Sequence, residues 1–514
     1  MLFNSYIFVF AFLPVTLVGY VLLSRLGFAS LLIVWLLAAS LVFYGWWNPP
    51  YLLLMIASIT FNYLASVAVI RLQDQQAQKK TILLITTAAI ILDLGLLGYF
   101  KYTNFFIDNL NKLTGLSLVF HKVFLPLAIS FHTIQQIAYL MDVYRGKVRR
   151  CSFLRYCLFV MFFPQLIAGP IVRHEEMMHQ FGRKLSKRFG YDMVVGITIF
   201  TAGLFKKVVL ADGVSVYSNY AFNAAAAGAS PTFFEAWGGA MAYTLQIYFD
   251  FSAYSDMAIG LARMFGIKLP LNFDAPYKST SIIDFWRRWH MTLSRFLRDY
   301  VYIGLGGNRK GQSRRYINMM ATMLIGGLWH GAGWTFVVWG GLHGLYLAIN
   351  HGWRALRGQG AVPSSRISDL TSRGLTFFCV VVAWVFFRAT DWSTAARMIK
   401  GMSGLNGISL PRSLESHLGF LGWAHIRFEG LGSLETGGTF VAFAWVIGLL
   451  GVVWLLPATH QWLARGNPTI EKVSRTTRWL WRPSVAWAAV TGTMMAIALV
   501  GMLSRSTEFI YFQF

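Results

Sequence analysis

A single histidine sits inside the apolar, glycine-rich run Gly326-Gly327-Leu328-Trp329-His330-Gly331-Ala332-Gly333-Trp334. Taking an ionisable group to membrane depth is costly, so such a residue ordinarily faces a cavity or a partner and marks a working site. Imidazole can stay neutral among apolar neighbours and still accept a proton, as a general base must. The glycines on either side let other backbone or a substrate approach closely. His330 is therefore the leading candidate for a catalytic base. The competing reading is a buried structural histidine satisfied by a nearby carbonyl.

A second histidine, His290, closes the segment Asp284-Phe285-Trp286-Arg287-Arg288-Trp289-His290. At about 100° per residue, Phe285, Trp286, Trp289, Leu293, Phe296, Leu297 and Tyr300 share one arc, with Arg287, Arg288, Arg295 and Arg298 opposite. This pattern predicts a basic, tryptophan-rich helix lying in the membrane interface, with His290 at the border of its apolar arc. Forty residues separate His290 from His330, so any joint action must come from tertiary packing. His343 follows in a similar context. In one continuous helix it would lie about 220° around from His330 and face away, which predicts a structural role.

Other polar groups in apolar runs read as packing. His132, Gln135 and Gln136 are expected to form an interhelical hydrogen-bond network. Asp250 and Asp256 would lie about 120° apart on a helix, so paired-carboxylate chemistry is not expected. Each should instead accept from a nearby Arg, Tyr or Ser. Asp93 has no obvious local partner, and Lys101 or another helix would have to supply one. Cys151, Cys157 and Cys379 make neither a disulfide framework nor zinc spacing, and no metal site is expected. There is no Gly-x-Ser-x-Gly elbow, which favours direct, base-assisted transfer over a covalent enzyme intermediate.

The elements that must position these residues lie in a membrane. Of 514 residues, 56% are hydrophobic and 13% charged, with a mean hydropathy of +0.52; soluble domains carry about a quarter charged residues. The chain reads as an all-α polytopic integral membrane protein, one domain over residues 1–514, with about 11 helices reaching membrane depth. The stretch from Ile317 to Ile349 is one of the expected spans. The first segment lacks a basic n-region and a small-x-small cleavage site, so it reads as a retained helix. A net charge of +24 would suggest nucleic acid on a soluble protein. Here it matches the Lys/Arg enrichment of cytoplasmic loops, and no nucleic-acid partner is expected. Basic walls would also attract an anionic donor.

Taken together, the motifs resemble those of the membrane-bound O-acyltransferase family, in its bacterial alginate O-acetyltransferase branch. The resemblance is carried by Asp284 to His290 and Trp329-His330-Gly331, and by blocks in family order along nearly the whole chain. Among them are Leu125 to Phe131, Tyr139 to Gly146, Phe162 to Arg173, Tyr248 to Gly260, Trp384 to Arg388 and Phe509 to Phe514. It implies a ring of tilted or re-entrant helices around a central tunnel, with a funnel on the cytoplasmic side. It also implies that His330 is the essential histidine at the tunnel and His290 the second family histidine.

Relatives in this branch move acetyl groups onto extracytoplasmic polysaccharides such as alginate or cellulose, working with a separate SGNH-like transferase outside the membrane and with secretion machinery. The expected activity is thus O-acetylation from the bacterial inner membrane, with acetyl-CoA or another thioester as donor substrate and no permanently bound cofactor. Arg287, Arg288, Trp286 and Trp329 are the candidates for donor binding. Tyr511 has two readings, an aromatic anchor at the interface or an acyl relay to the partner enzyme. The alternative to an enzyme is a transporter or scaffold of a secretion complex. It would predict paired intramembrane charges and repeat symmetry, and it leaves the histidines unexplained.

Overall fold

Backbone polar groups have no water to bond in a bilayer core, which favours helices for a chain this apolar. The computed structural model describes residues 1–119, 123–150, 152–183, 187–357, 365–424, 426–428, 439–473, 480–504 and 510. Cys151 and Tyr511 lie outside the described residues. The described chain is predominantly helical, and its one sheet is a parallel pair, Ile408–Ser409 with Ile426–Arg427.

Six of the described helices are long and apolar enough to cross a membrane: Phe8–Leu26, Pro49–Asp74, Lys79–Thr114, Phe189–Ala226, Arg366–Arg388 and Val485–Leu503. Ala29–Gly45 and Val441–Leu455 are shorter apolar helices. The expected single span from Ile317 to Ile349 is instead a hairpin of Gln312–His330 and Trp334–Arg357. The extended backbone of Gly331, at φ −160° and ψ 148°, ends the first helix directly after His330.

The chain forms two compact units. The first comprises Met1–Leu204, Ala253–Asn272 and Thr459–Leu503. Its buried polar groups answer one another across helices. Asn62 donates to Asp93 at 2.8 Å, so a neighbouring helix supplies that partner, while Lys101 donates to Ser130 at 3.2 Å. Gln136 donates to Ser58 at 3.0 Å and accepts from the Tyr156 hydroxyl at 3.2 Å. Gln135 donates to the Phe159 carbonyl at 2.9 Å. With His132 Nδ1 3.4 Å from Gln136, these contacts are the interhelical network that the polar run predicts.

The second unit comprises Phe205–Ser252, Phe273–Ala458 and Ser504–Phe514. Lys207, in a π-helical turn over Lys206–Ala211, is buried between Asp212 at 2.6 Å and Asp250 at 2.8 Å. Asp250 was expected to accept from Arg, Tyr or Ser; its charge partner is this lysine. Two carboxylates around one ammonium satisfy more of its N–H donors than one could, which is how a buried charge is retained. Asp250 also accepts the backbone N–H of Ile510 at 3.1 Å.

The Gln312–His330 and Trp334–Arg357 helices cross at glycines. A Cβ at Gly327 would run into the Phe336 carbonyl, and one at Gly340 into that of Met323. Only glycine at these two positions permits the approach, and the contact sets where His330 emerges.

Candidate active site

His330 is the last residue of its helix and is 5% exposed. Aromatic rings surround it, with centroids at 4.9 Å for Trp329, 5.1 Å for Trp339 and 5.2 Å for Phe387. The short Gly331–Gly333 link makes this enclosure possible. It turns the chain back so that Trp339, nine residues further on, meets the His330 ring.

His290 arrives from a break that the hydrophobic arc conceals. The segment expected as one interfacial helix is Ile282–Arg288, then Met291–Phe296, then a π-helical turn over Leu297–Tyr302. Trp289 is extended and His290 is left-handed, at φ 41° and ψ 53°. Histidine enters that region more readily than most residues, yet the conformation stays uphill and holds only where packing enforces it. The apolar arc is also buried in protein, since Phe285, Trp289 and Leu293 are each 1% exposed. Tyr277 and Trp384 pack against this segment, so Trp289 faces protein rather than a membrane interface. Tertiary packing has overridden the local pattern.

His290 is fully buried, and its ring lies 4.7 Å from Phe251, 6.2 Å from Trp329 and 6.4 Å from His330. Burial among these rings pushes its imidazole down to about 3, so it is neutral at physiological pH. The structure thus brings the two histidines into one aromatic cluster from two separate elements.

His343 requires a correction. The prediction that it faces away from His330 assumed a continuous helix, and the break at Gly331 removes that premise. His343 is fully buried in the same cluster, 4.9 Å from the Trp339 ring, and its Nδ1 accepts the Trp286 indole N–H at 3.3 Å. The sequence gives no sign of the break at Gly331, so the angle between the two histidines could not be read from helical spacing.

The donor-binding candidates differ in setting. Arg287 is exposed. Arg288 is bound through Nε to both carboxylate oxygens of Asp284 at 3.0 Å, and Asp274 lies 3.9 Å away. Its charge is therefore offset within the turn that leads into His290. Trp286 is half-buried and engaged with His343, while Trp329 is buried against both catalytic candidates.

Apolar helices long enough to cross a membrane, with two buried imidazoles set among aromatic rings, define a polytopic helical membrane protein. The particular family follows from comparison with known proteins. A model of the membrane-bound O-acyltransferase family matches residues 70–389, and the chain belongs to that family. It is 44% identical to a peptidoglycan O-acetyltransferase of Helicobacter pylori over 437 residues, covering 80% of this chain and 81% of the relative. It is 43% identical to a probable alginate O-acetylase, AlgI, of Pseudomonas aeruginosa over 409 residues, covering 78% and 75%. A teichoic acid D-alanyltransferase of Streptococcus thermophilus is 27% identical over 280 residues, covering 51% of this chain and 68% of the relative. The protein is a multi-pass membrane O-acyltransferase.

Proposed function

We propose that this enzyme takes acetyl from a cytoplasmic thioester, most simply acetyl-CoA, and passes it across the bacterial inner membrane for O-acetylation of an extracytoplasmic polysaccharide. The observation that carries this reading is the pairing of His290 and His330 in one aromatic cluster, rings 6.4 Å apart. His330 removes the proton from an acceptor hydroxyl. That oxygen attacks the thioester carbonyl carbon, and the carbonyl electron pair moves onto oxygen. Collapse of the tetrahedral intermediate breaks the C–S bond, and the departing thiolate takes the proton from the His330 imidazolium. His290, neutral in its buried position, orients the reacting groups. The exposed Arg287 attracts the phosphates of the donor, and Trp286 and Trp329 shape the approach to the cluster.

The names of the relatives support a sugar-polymer acceptor. Alginate and peptidoglycan are each represented among the similar proteins, and cellulose belongs to the same class of hydroxyl-rich chain. A separate extracytoplasmic transferase completes the reaction, and Tyr511 is the candidate relay to it. The test is the acetyl content of the secreted and cell-wall polysaccharides in cells expressing His330→Ala, with protein level in the membrane measured in parallel. Loss of acetyl at normal protein level is the expected result; unchanged acetylation overturns the assignment of His330.

A further inference from the structure

Trp286, Trp384 and His343 pack around Trp339, whose ring meets His330, and the N–H groups of these four side chains are used unequally. The Trp384 indole donates to the Tyr277 hydroxyl at 3.1 Å, which in turn donates to the Thr244 carbonyl at 2.7 Å. The Trp286 indole donates to His343 Nδ1 at 3.3 Å. Trp339, 1% exposed, has an indole N–H that meets no acceptor among the described residues, and the same holds for His343 Nε2.

The Trp286 contact decides which proton His343 carries. An indole N–H can only donate, so Nδ1 of His343 must be the bare nitrogen and the neutral ring carries its hydrogen on Nε2. His343 therefore presents a second N–H donor. Trp339 and His343 are four residues apart on the Trp334–Arg357 helix, which places them on one face. Their rings lie 4.9 Å apart, and the Trp339 ring is 5.1 Å from His330. Folded proteins seldom leave a buried donor unmet. Two such donors, on rings 4.9 Å apart of which one lies 5.1 Å from a candidate base, have the polarity that receives an oxygen acquiring negative charge.

We infer that Trp339 Nε1–H and His343 Nε2–H form the donor pair that binds the acyl carbonyl oxygen and stabilises the oxyanion formed on it. The inference rests on the reading of His330 as the base. As the acceptor oxygen bonds to the carbonyl carbon, the carbonyl pair moves onto oxygen and both hydrogen bonds tighten. When the C–S bond breaks, the pair returns and the bonds relax; neither donor gives up its proton. Trp286 is a positioning residue that holds His343 in the donating tautomer. Such a pair acts on the transition state more than on the bound donor, so it governs kcat rather than KM.

The test uses membranes from cells expressing the full chain. Acetyl transfer to the cells' own polysaccharide is followed as acetyl-CoA is varied, with rates normalised to the amount of protein. Trp339→Phe keeps an aromatic ring against Trp384 and removes the N–H. Each of Trp339→Phe and His343→Leu is expected to lower kcat by about 100- to 1,000-fold with little change in KM. His343→Gln can accept from Trp286 and donate from the same amide, and should stay within about tenfold of the parent. His330→Ala separates the two claims. If it is inactive while Trp339→Phe and His343→Leu run at the parental rate, the donor pair is wrong and the base assignment stands. An active His330→Ala removes the underlying reading. A loss seen in KM alone, or His343→Gln as impaired as His343→Leu, also overturns the pair.

Discussion

The rings of His290 and His330 lie 6.4 Å apart although 40 residues separate them in the chain. One caps a helix that ends at a glycine; the other sits at a left-handed break between two short helices. Their meeting depends on two helix terminations, and each termination is enforced by packing against aromatic side chains. If His330 is the base and His290 an orienting group, the two substitutions should differ in size. His330→Ala is expected to lower kcat by about 100- to 10,000-fold, and His290→Asn by less. Asparagine tolerates the left-handed backbone of position 290, so the comparison isolates the ring. Equal losses measured in the same membranes would contradict this division of roles.

Stability should fall on mild acidification. His290 lies outside the six long apolar helices, and burial lowers its folded-state value to about 3 from an ordinary 6.5. The unfolded chain then binds a proton that the folded chain refuses. The stabilising effect is complete above about pH 6.5 and is lost progressively as pH falls toward 3, by up to about 1.4 kcal/mol per pH unit. Thermal unfolding of the detergent-solubilised protein at pH 7 and pH 5 measures it. The His290→Asn variant should show a shallower pH dependence; an identical slope would remove His290 as its source.

The helix hairpin beneath His330 is expected to tolerate no side chain at its crossing. Gly340→Val places carbon against the Met323 carbonyl, and Gly327→Val does so against that of Phe336. Backbone atoms cannot swing aside as a flexible side chain can, so the helices must separate. A loss of about 3 kcal/mol or more is expected, read as a lower melting temperature and reduced membrane level. Gly352→Ala lies on the same hairpin, where an added Cβ meets nothing within 4 Å, and should leave both measurements near the parental values.

The buried charges around Lys207 should behave as a unit. Lys207→Met leaves Asp212 and Asp250 buried without their ammonium and should cost about 3–5 kcal/mol. Adding Asp212→Asn and Asp250→Asn removes the stranded charges and should recover part of that loss. A triple variant no more stable than Lys207→Met, judged by melting in detergent, would show that these groups do not interact as the 2.6 and 2.8 Å contacts indicate.

The sequence alone was sufficient for the class of molecule. Few charges and long apolar runs leave a membrane-spanning helical chain as the physical solution. The isolated imidazole of His330 was legible because an ionisable side chain in an apolar run is costly wherever the chain folds. The polar run from His132 to Gln136 was legible for the same reason: buried amides must find partners.

What only the tertiary structure decided are the places where the helical pattern stops. The apolar arc through Phe285 to Tyr300 continues in sequence across a backbone that leaves the helix at Trp289 and His290. A side-chain period reports which residues prefer burial; it does not report a local break held by packing against Tyr277 and against Phe251 and Trp384, the last two distant in the chain. The same limit hid the placement of His343 against Trp286 and Trp339, which depends on the hairpin closing at Gly327 and Gly340, and the choice of Lys207 as the partner of Asp250. Burial and cost are properties of each residue and its near neighbours. Partnership is set by contacts between segments far apart in sequence, and those exist only once the chain has folded.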